Sequence, residues 1–309
     1  MRRIVEVATG NRHLHVERGF LVIDDTTSPG LEIGRVPLAD IQALVAHGHG
    51  ITLSTSVLAR LADHAAPFVI VDANHNATGM LLSCDGNTGQ AARFDAQATA
   101  GKPALKRIWA DLVRAKIRQQ EAVLEAIGRP GPARRLRTLS TEVRSGDPSN
   151  IEAQAARRYW PALFGPTFRR DRSGMEPNGF LNYGYTVLRA TTARAVIAAG
   201  LHPTLGVHHS SGANSMRLVD DLVEPFRPFV DFQAWILWND GHVKLDREEK
   251  TRLVEVMSQD LATDRGTSPI GECIQVLATS VARVLLGELP KITVPAAQVP
   301  VAMSELFDR

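Results

Sequence analysis

The chain has 309 residues, 44% hydrophobic and 22% charged, which is the balance of an ordinary globular protein long enough for two domains. Its 35 Lys and Arg against 33 Asp and Glu leave it nearly neutral, so composition alone does not mark a nucleic-acid binder. No apolar run reaches the roughly eighteen residues of a membrane span, and Met1–Ala8 meets Glu6 too early for a secretory signal. The two cysteines, Cys84 and Cys273, have no metal or redox spacing, and a reducing cytoplasm without a membrane partner is expected.

In chain order, Arg3 to Ala8, Leu14 to Val16, Phe20 to Ile23, Leu31 to Leu38 and Ile41 to Val45 read as short strands. The turn signals T-G-N-R and E-R-G separate the first of them as successive hairpins. Ser54, Thr55 and Ser56 offer N-caps for a helix with Val57, Leu58, Leu61 and Ala62 on one face. Pro67 ends it, and F-V-I-V-D comes next as a buried strand. Near Cys84 the character changes, and D-G-N-T-G-Q reads as a linker. The expected fold class is therefore α+β: a strand-rich domain over residues 1–84, then an all-α domain over 85–309.

In the second part, Pro103 suits the first turn of a helix running to Ile127, which Gly128 to Pro132 stops. Further helices are expected over Asn150–Phe164, Leu181–Ala199, Met216–Arg227, Phe229–Trp238, Arg247–Leu261 and Ser268–Leu286. The ending I-T-V-P-A-A-Q-V-P-V has no helical period and is expected to be extended, docked on a partner or disordered.

Three groups of residues carry chemistry. In Met216–Arg227, Leu218, Val219, Leu222, Val223 and Phe226 share one helical face, and Asp220, Asp221 and Glu224 share the other. An acidic face in solvent explains this, but like charges three and four apart repel, and a dication would relieve that cost with oxygen ligands. Spacing does not choose between Asp220 and Asp221 as the companion of Glu224. Pro225 deprives the Asp221 carbonyl of its helical donor and predicts a kink. Glu152 fits a capping box, Ser149-Asn150-Ile151-Glu152, in which its side chain would return to the cap. His208 and His209, on extended backbone, would point to opposite faces, so at most one serves a common site.

The motifs D-P-S-N-I-E-A-Q-A-A-R-R-Y-W, N-G-F-L-N-Y-G-Y-T-V-L and G-V-H-H followed by D-D-L-V-E-P-F-R-P resemble, in order and spacing, the CRISPR-associated integrase family, the universal adaptation-stage endonuclease. The match is closest to its type II branch, and I-T-L-S-T-S-V-L-A-R-L-A with P-F-V-I-V-D resembles the same family's amino-terminal domain.

The resemblance implies a Mg²⁺- or Mn²⁺-dependent enzyme that inserts short foreign DNA duplexes into a repeat array by 3′-hydroxyl attack on repeat phosphodiesters. Carried over, Glu152, His209 and Glu224 are the catalytic and metal-binding residues, and Asp221 is an added acidic ligand. His208 lies beside the family position. The resemblance also implies a homodimer formed through the strand-rich domain and a small ferredoxin-like companion protein. DNA, both protospacer duplex and repeat, would be held largely through its backbone. Of the basic clusters, Arg134-Arg135 with Arg137, Arg157-Arg158, and Arg169-Arg170 with Arg172, the pair Arg157 and Arg158 lies nearest Glu152 in sequence and is assigned to phosphate contact. Two other readings remain open: a stand-alone nuclease for branched or repair DNA using the same residues, and a non-catalytic DNA-binding scaffold.

Overall fold

The protein is described by a computed structural model covering residues 3–46, 49–71, 77–81, 83, 89–171, 174–264 and 266–301. Its backbone groups into two compact units, Met1–Thr88 and Gly89–Arg309. Cys84 and most of the expected linker lie outside the described residues, as does Arg172.

The first unit holds β1 (Arg3–Val7), β2 (Arg12–Glu17), β3 (Phe20–Asp25), β4 (Glu32–Pro37), β5 (Ile41–Ala46), β6 (Thr52–Leu53), α1 (Thr55–Asp63), β7 (Phe68–Val71) and β8 (Ala77–Leu81). They form two four-stranded sheets, ordered β1-β5-β7-β8 and β4-β3-β2-β6. The β2–β3 hairpin pairs Glu17 with Phe20 across Arg18 and Gly19. Both turn residues have positive φ, at 47° and 86°, the requirement of the two-residue turn that matches strand twist. Alternation then sends Leu14 and Leu21 into a core with Leu38, Ile41, Leu44, Val57, Leu61 and Phe68. The expected strands and helix are present, with ends moved by one or two residues, but T-G-N-R does not close a hairpin: β1 pairs parallel with β5 in one sheet while β2 lies in the other.

The second unit contains α2 (Gln90–Ala98), α3 (Lys102–Ala126), α4 (Pro130–Glu142), α5 (Ile151–Phe164), α6 (Asn178–Ala198), α7 (Arg217–Leu222), α8 (Arg227–Asn239), α9 (Arg247–Glu255), β9 (Asp260–Thr263), β10 (Gly266–Pro269) and α10 (Ile270–Leu285). Three expectations change here. Pro130 and Pro132 do stop α3, yet they also open α4, because the first turn of a helix needs no proline N–H. The unit is predominantly but not wholly helical: β9 and β10 pair antiparallel, from Gly266 against Thr263 to Pro269 against Asp260, and take in the last two residues of one expected helix and the first two of the next. The ending docks on its own chain as far as it is described. Gln298 accepts and donates backbone bonds at Gln119 of α3, and its side chain pairs with the Ala262 backbone at 2.8 and 2.9 Å.

Two features of this packing position the acidic and histidine residues. The long helix α3 runs beside α4, α5, α8 and the 224–226 turn. Pro225 breaks the acidic segment as expected: α7 ends at Leu222, a 3-10 turn spans Glu224–Phe226, and α8 starts at Arg227.

Candidate active site

The acidic face of the Met216–Arg227 segment is not a solvated one. Asp221 is fully buried and Glu224 is 4% exposed. The three acids also diverge. Asp220 is held by Arg189, Nε to Oδ1 at 2.7 Å and a terminal nitrogen to Oδ2 at 3.1 Å, and accepts from Asn214 at 2.8 Å. That bidentate pair commits both of its oxygens.

Asp221 turns toward the preceding loop. Its Oδ2 accepts the backbone N–H of Val207 at 2.6 Å and of His208 at 3.1 Å. Its Oδ1 lies 3.2 Å from the N–H of His209 and 2.7 Å from Nδ1 of the same residue. The carboxylate thus folds residues 207–209 around itself. Gly206 makes the approach possible, since a Cβ there would fall 2.7 Å from the His209 carbonyl oxygen and 3.0 Å from Asp221 Oδ2.

The two adjacent histidines do not point to opposite faces as extended backbone would make them: with residues 207–209 folded around Asp221, both rings meet Trp109 and their centroids lie 6.0 Å apart. His208 stacks flat on Trp109 of α3, with centroids 4.1 Å apart and planes 4° from parallel. His209 meets the same indole edge-on and keeps its Nδ1 on Asp221. That bond holds the His209 imidazole above the usual histidine range, against partial burial. It also leaves Nε2 as the nitrogen not spent on Asp221.

Glu152 does not close a capping box. The α5 N-cap is Asn150, whose side chain accepts from Ala153 N–H at 3.3 Å, and its φ is 49°. The N–H groups of Ile151 and Glu152 are bound by the Asp147 carboxylate at 2.8 and 3.0 Å. With two other residues capping the helix, the Glu152 side chain is released to point at α3.

What it meets there is Lys116. The lysine Nζ lies 2.5 Å from Glu152 Oε1 and 2.5 Å from Glu224 Oε2, with its side chain 11% exposed. One ammonium therefore joins a carboxylate of α5 to one of the 224–226 turn. Arg227 adds a second cation, with Nε 3.1 Å from Glu224 Oε1. Neither contact to Glu224 has hydrogen-bonding geometry, so Oε2 of this buried carboxylate has a charge beside it but no directed donor. Burial opposes ionisation of Glu224, yet Arg227 and Lys116 outweigh it and hold its carboxyl below the usual range. Burial likewise pushes Lys116 down, and the two glutamates more than restore it.

Behind this group, Arg227 lies over the Tyr185 ring at 4.8 Å and Arg170 over the same ring at 5.3 Å. The Tyr185 hydroxyl donates to Asp231, a carboxyl that is 1% exposed and pushed by burial up to about 7. The bond from Tyr185 to a buried acid gives the N-Y-G-Y motif a polar layer behind the site. Arg157 and Arg158 are exposed on α5.

Of the residues expected at the site, the structure joins Glu152 to Glu224 through Lys116 and joins His209 to Asp221. Among the described residues no three His, Cys, Asp or Glu side chains converge into a ready metal cage. Lys116 and Arg227 were not assigned a role from sequence. The available signal for Lys116 was a cation in the apolar stripe of α3, one turn from Leu112 and Val113.

Comparison with known proteins agrees with the motifs. Residues 5–263 match the family model described as CRISPR associated protein Cas1. A CRISPR-associated endonuclease Cas1 of Neisseria meningitidis is 35% identical over 232 residues, covering 74% of this chain and 76% of that one. Among solved structures, a casposase bound to integration product superposes with a TM-score of 0.79 at 20% identity, over 94% of this chain and 92% of the other. A chain of a Cas6-RT-Cas1–Cas2 complex gives 0.76 at 19% identity, over 96% of this chain and 36% of that one. At those identities the superpositions speak for the fold, and the family match over most of the sequence decides membership: the chain belongs to the Cas1 family of CRISPR-associated proteins.

Proposed function

We propose that this protein is a divalent-metal-dependent DNA endonuclease and integrase that inserts short duplexes into a CRISPR repeat array. The observation that carries the reading is the approach of Glu152 and Glu224 to one buried cation position, with His209 braced alongside by Asp221. The donor set fits a divalent ion: two carboxylates, one of them with a buried oxygen lacking a directed donor, and an imidazole whose other nitrogen is bound by a carboxylate. Glu152, Glu224 and Nε2 of His209 would hold Mg²⁺ or Mn²⁺, with mixed oxygen and nitrogen ligation favouring Mn²⁺. Asp221, whose oxygens are engaged by residues 207–209, acts as the group that orients His209, in place of the additional ligand expected from sequence.

When bound, the ion offsets charge on the attacked phosphate and favours ionisation of the attacking hydroxyl. The chain's own part is positional. His209 and Glu152 are partly exposed and face incoming DNA, while Glu224 anchors the site from the buried side. Arg227 places fixed positive charge beside the reacting phosphate, and Arg157 and Arg158 grip the backbone nearby. The nucleophile is a DNA 3′-hydroxyl in integration and water in cleavage.

The partner reading accords with the family: a homodimer formed through the strand-rich unit, joined by a small ferredoxin-like companion. A solved assembly containing Cas1 and Cas2 with the same fold supports the second part. The domain division at residue 84 is proposed on the same basis. No described helix is long and apolar enough to cross a membrane.

The test is integration of a short duplex into a supercoiled plasmid carrying the repeat, with and without metal and companion. Glu152→Gln and Glu224→Gln should retain duplex binding and lose strand transfer. Transfer that survives both substitutions would remove the catalytic assignment, and transfer without the companion would favour a stand-alone nuclease.

A further inference from the structure

The centre of the site contains a cation that the metal reading does not use. Lys116 reaches it from the buried stripe of α3, and the carboxylates of Glu152 and Glu224 close on its Nζ at equal distances of 2.5 Å. We propose that Lys116 is the resident cation of this carboxylate pair, and that a divalent ion enters by displacing its ammonium from between the two glutamates. The inference rests on the metal-dependent reading of the site and adds a step to it.

Three observations carry it. Two carboxylates brought together at a site where one is almost wholly buried need a compensating charge, and Lys116 is placed to supply it. Its contact with Glu224 Oε2 is an ion pair at 2.5 Å, and an ammonium serves such a carboxylate as a compact point charge, which another cation can replace. The absence of a ready three-ligand cage among the described residues has the same origin, because the glutamates converge on Nζ and not on a point shared with His209.

The alternative is that Lys116 is a permanent brace, kept in place while the ion binds elsewhere on the glutamates. The two differ in sign. A displaced ammonium competes with the ion, so its removal tightens binding. A brace preorganises the ligands, so its removal weakens binding.

The experiment compares wild type with Lys116→Met by Mn²⁺ titration, reading free Mn²⁺ by electron paramagnetic resonance without DNA. Lys116→Met should bind Mn²⁺ about tenfold tighter or more, the scale of one poorly screened charge at a few ångströms. It should also show a lower metal-free Tm and a larger Mn²⁺-induced rise than wild type. Equal or weaker binding by a folded Lys116→Met variant, with wild type binding normally, overturns the displacement. Binding by neither protein overturns the metal reading itself.

A second measurement uses wild type alone and so does not depend on the variant folding. Acetylation of Lys116 by a water-soluble ester, followed by peptide mass spectrometry, should rise several-fold on adding Mn²⁺ as the amine is freed. Unchanged or reduced labelling overturns the proposal.

Discussion

The Asp221 carboxylate lies 2.7 Å from Nδ1 of His209 and also accepts N–H bonds from Val207, His208 and His209 itself. A side chain so committed shapes the loop and fixes the imidazole. Asp221→Asn replaces one acceptor oxygen by a donor facing donors, at about 1–3 kcal/mol for each buried group left unmet. Mn²⁺ affinity should fall about 10–100-fold, as for other groups that orient a ligating histidine. Glu224→Gln should lose far more. Equal losses in the two variants, measured by the same titration, would make Asp221 a ligand.

The position of Glu152 depends on Asp147, whose carboxylate binds the Ile151 and Glu152 N–H groups. Asp147→Ala removes both caps and should destabilise the protein by about 1–2 kcal/mol. Because the first turn of α5 also carries Glu152, strand transfer should drop beyond what the lost stability explains. Urea unfolding and transfer rates at a temperature where both proteins are folded separate the two effects. A variant with lower stability and unchanged transfer would uncouple the cap from the site.

Much of this arrangement is legible in the residues and some is not, for local reasons. The Pro225 break comes from a missing N–H. The alternation expected of His208 and His209 fails, because the Asp221 carboxylate gathers the N–H groups of residues 207–209 and bends the backbone that was read as extended. The capping-box reading of Ser149-Asn150-Ile151-Glu152 fails because an equally good acceptor, Asp147, sits two residues upstream of it and takes those N–H groups. The helices inferred from period over Arg247–Leu261 and Ser268–Leu286 run two residues into either end of the β9–β10 hairpin, whose short strands are fixed by pairing that no single segment displays. Lys116 is the instructive case. Its charge in an apolar stripe is visible, but the two glutamates that justify it come from α5 and the 224–226 turn. Only the fold brings them there.

Gly206 tests how closely the loop must approach Asp221. An added Cβ would meet the His209 carbonyl oxygen at 2.7 Å and Arg217 Cβ at 2.8 Å, both closer than side-chain carbons come without movement. Gly206→Ala should cost about 1–3 kcal/mol through overpacking. It should also shift residues 207–209 away from Asp221 and lower transfer with duplex binding retained. Thermal unfolding and a binding assay on one preparation decide it, since normal transfer would show that the loop tolerates the displacement.

Asp231 gives a pH dependence whose sign is fixed by burial. Its carboxyl is driven up to about 7 from an ordinary 3.8, although the Tyr185 bond and the charges of Arg227 and Lys116 pull the other way. The buried Tyr159 hydroxyl lies beside it as well. An acid raised on folding takes up a proton as the chain folds. Its contribution to stability is therefore fully present below 3.8, falls as pH rises, and is lost above about 7. Asp231→Asn removes that dependence and keeps an acceptor for Tyr185. The stability of wild type minus that of Asp231→Asn should decline across this window by at most about 4 kcal/mol, then level off. Other titrating groups, Glu224 and His209 among them, largely cancel in the difference. Urea unfolding of both proteins from pH 4 to 8 provides the measurement. A flat difference would mean that Asp231 stays ionised in the folded protein, with Arg227 supplying its counter-charge. A falling one would leave Arg227 free to serve Glu224 and the phosphate.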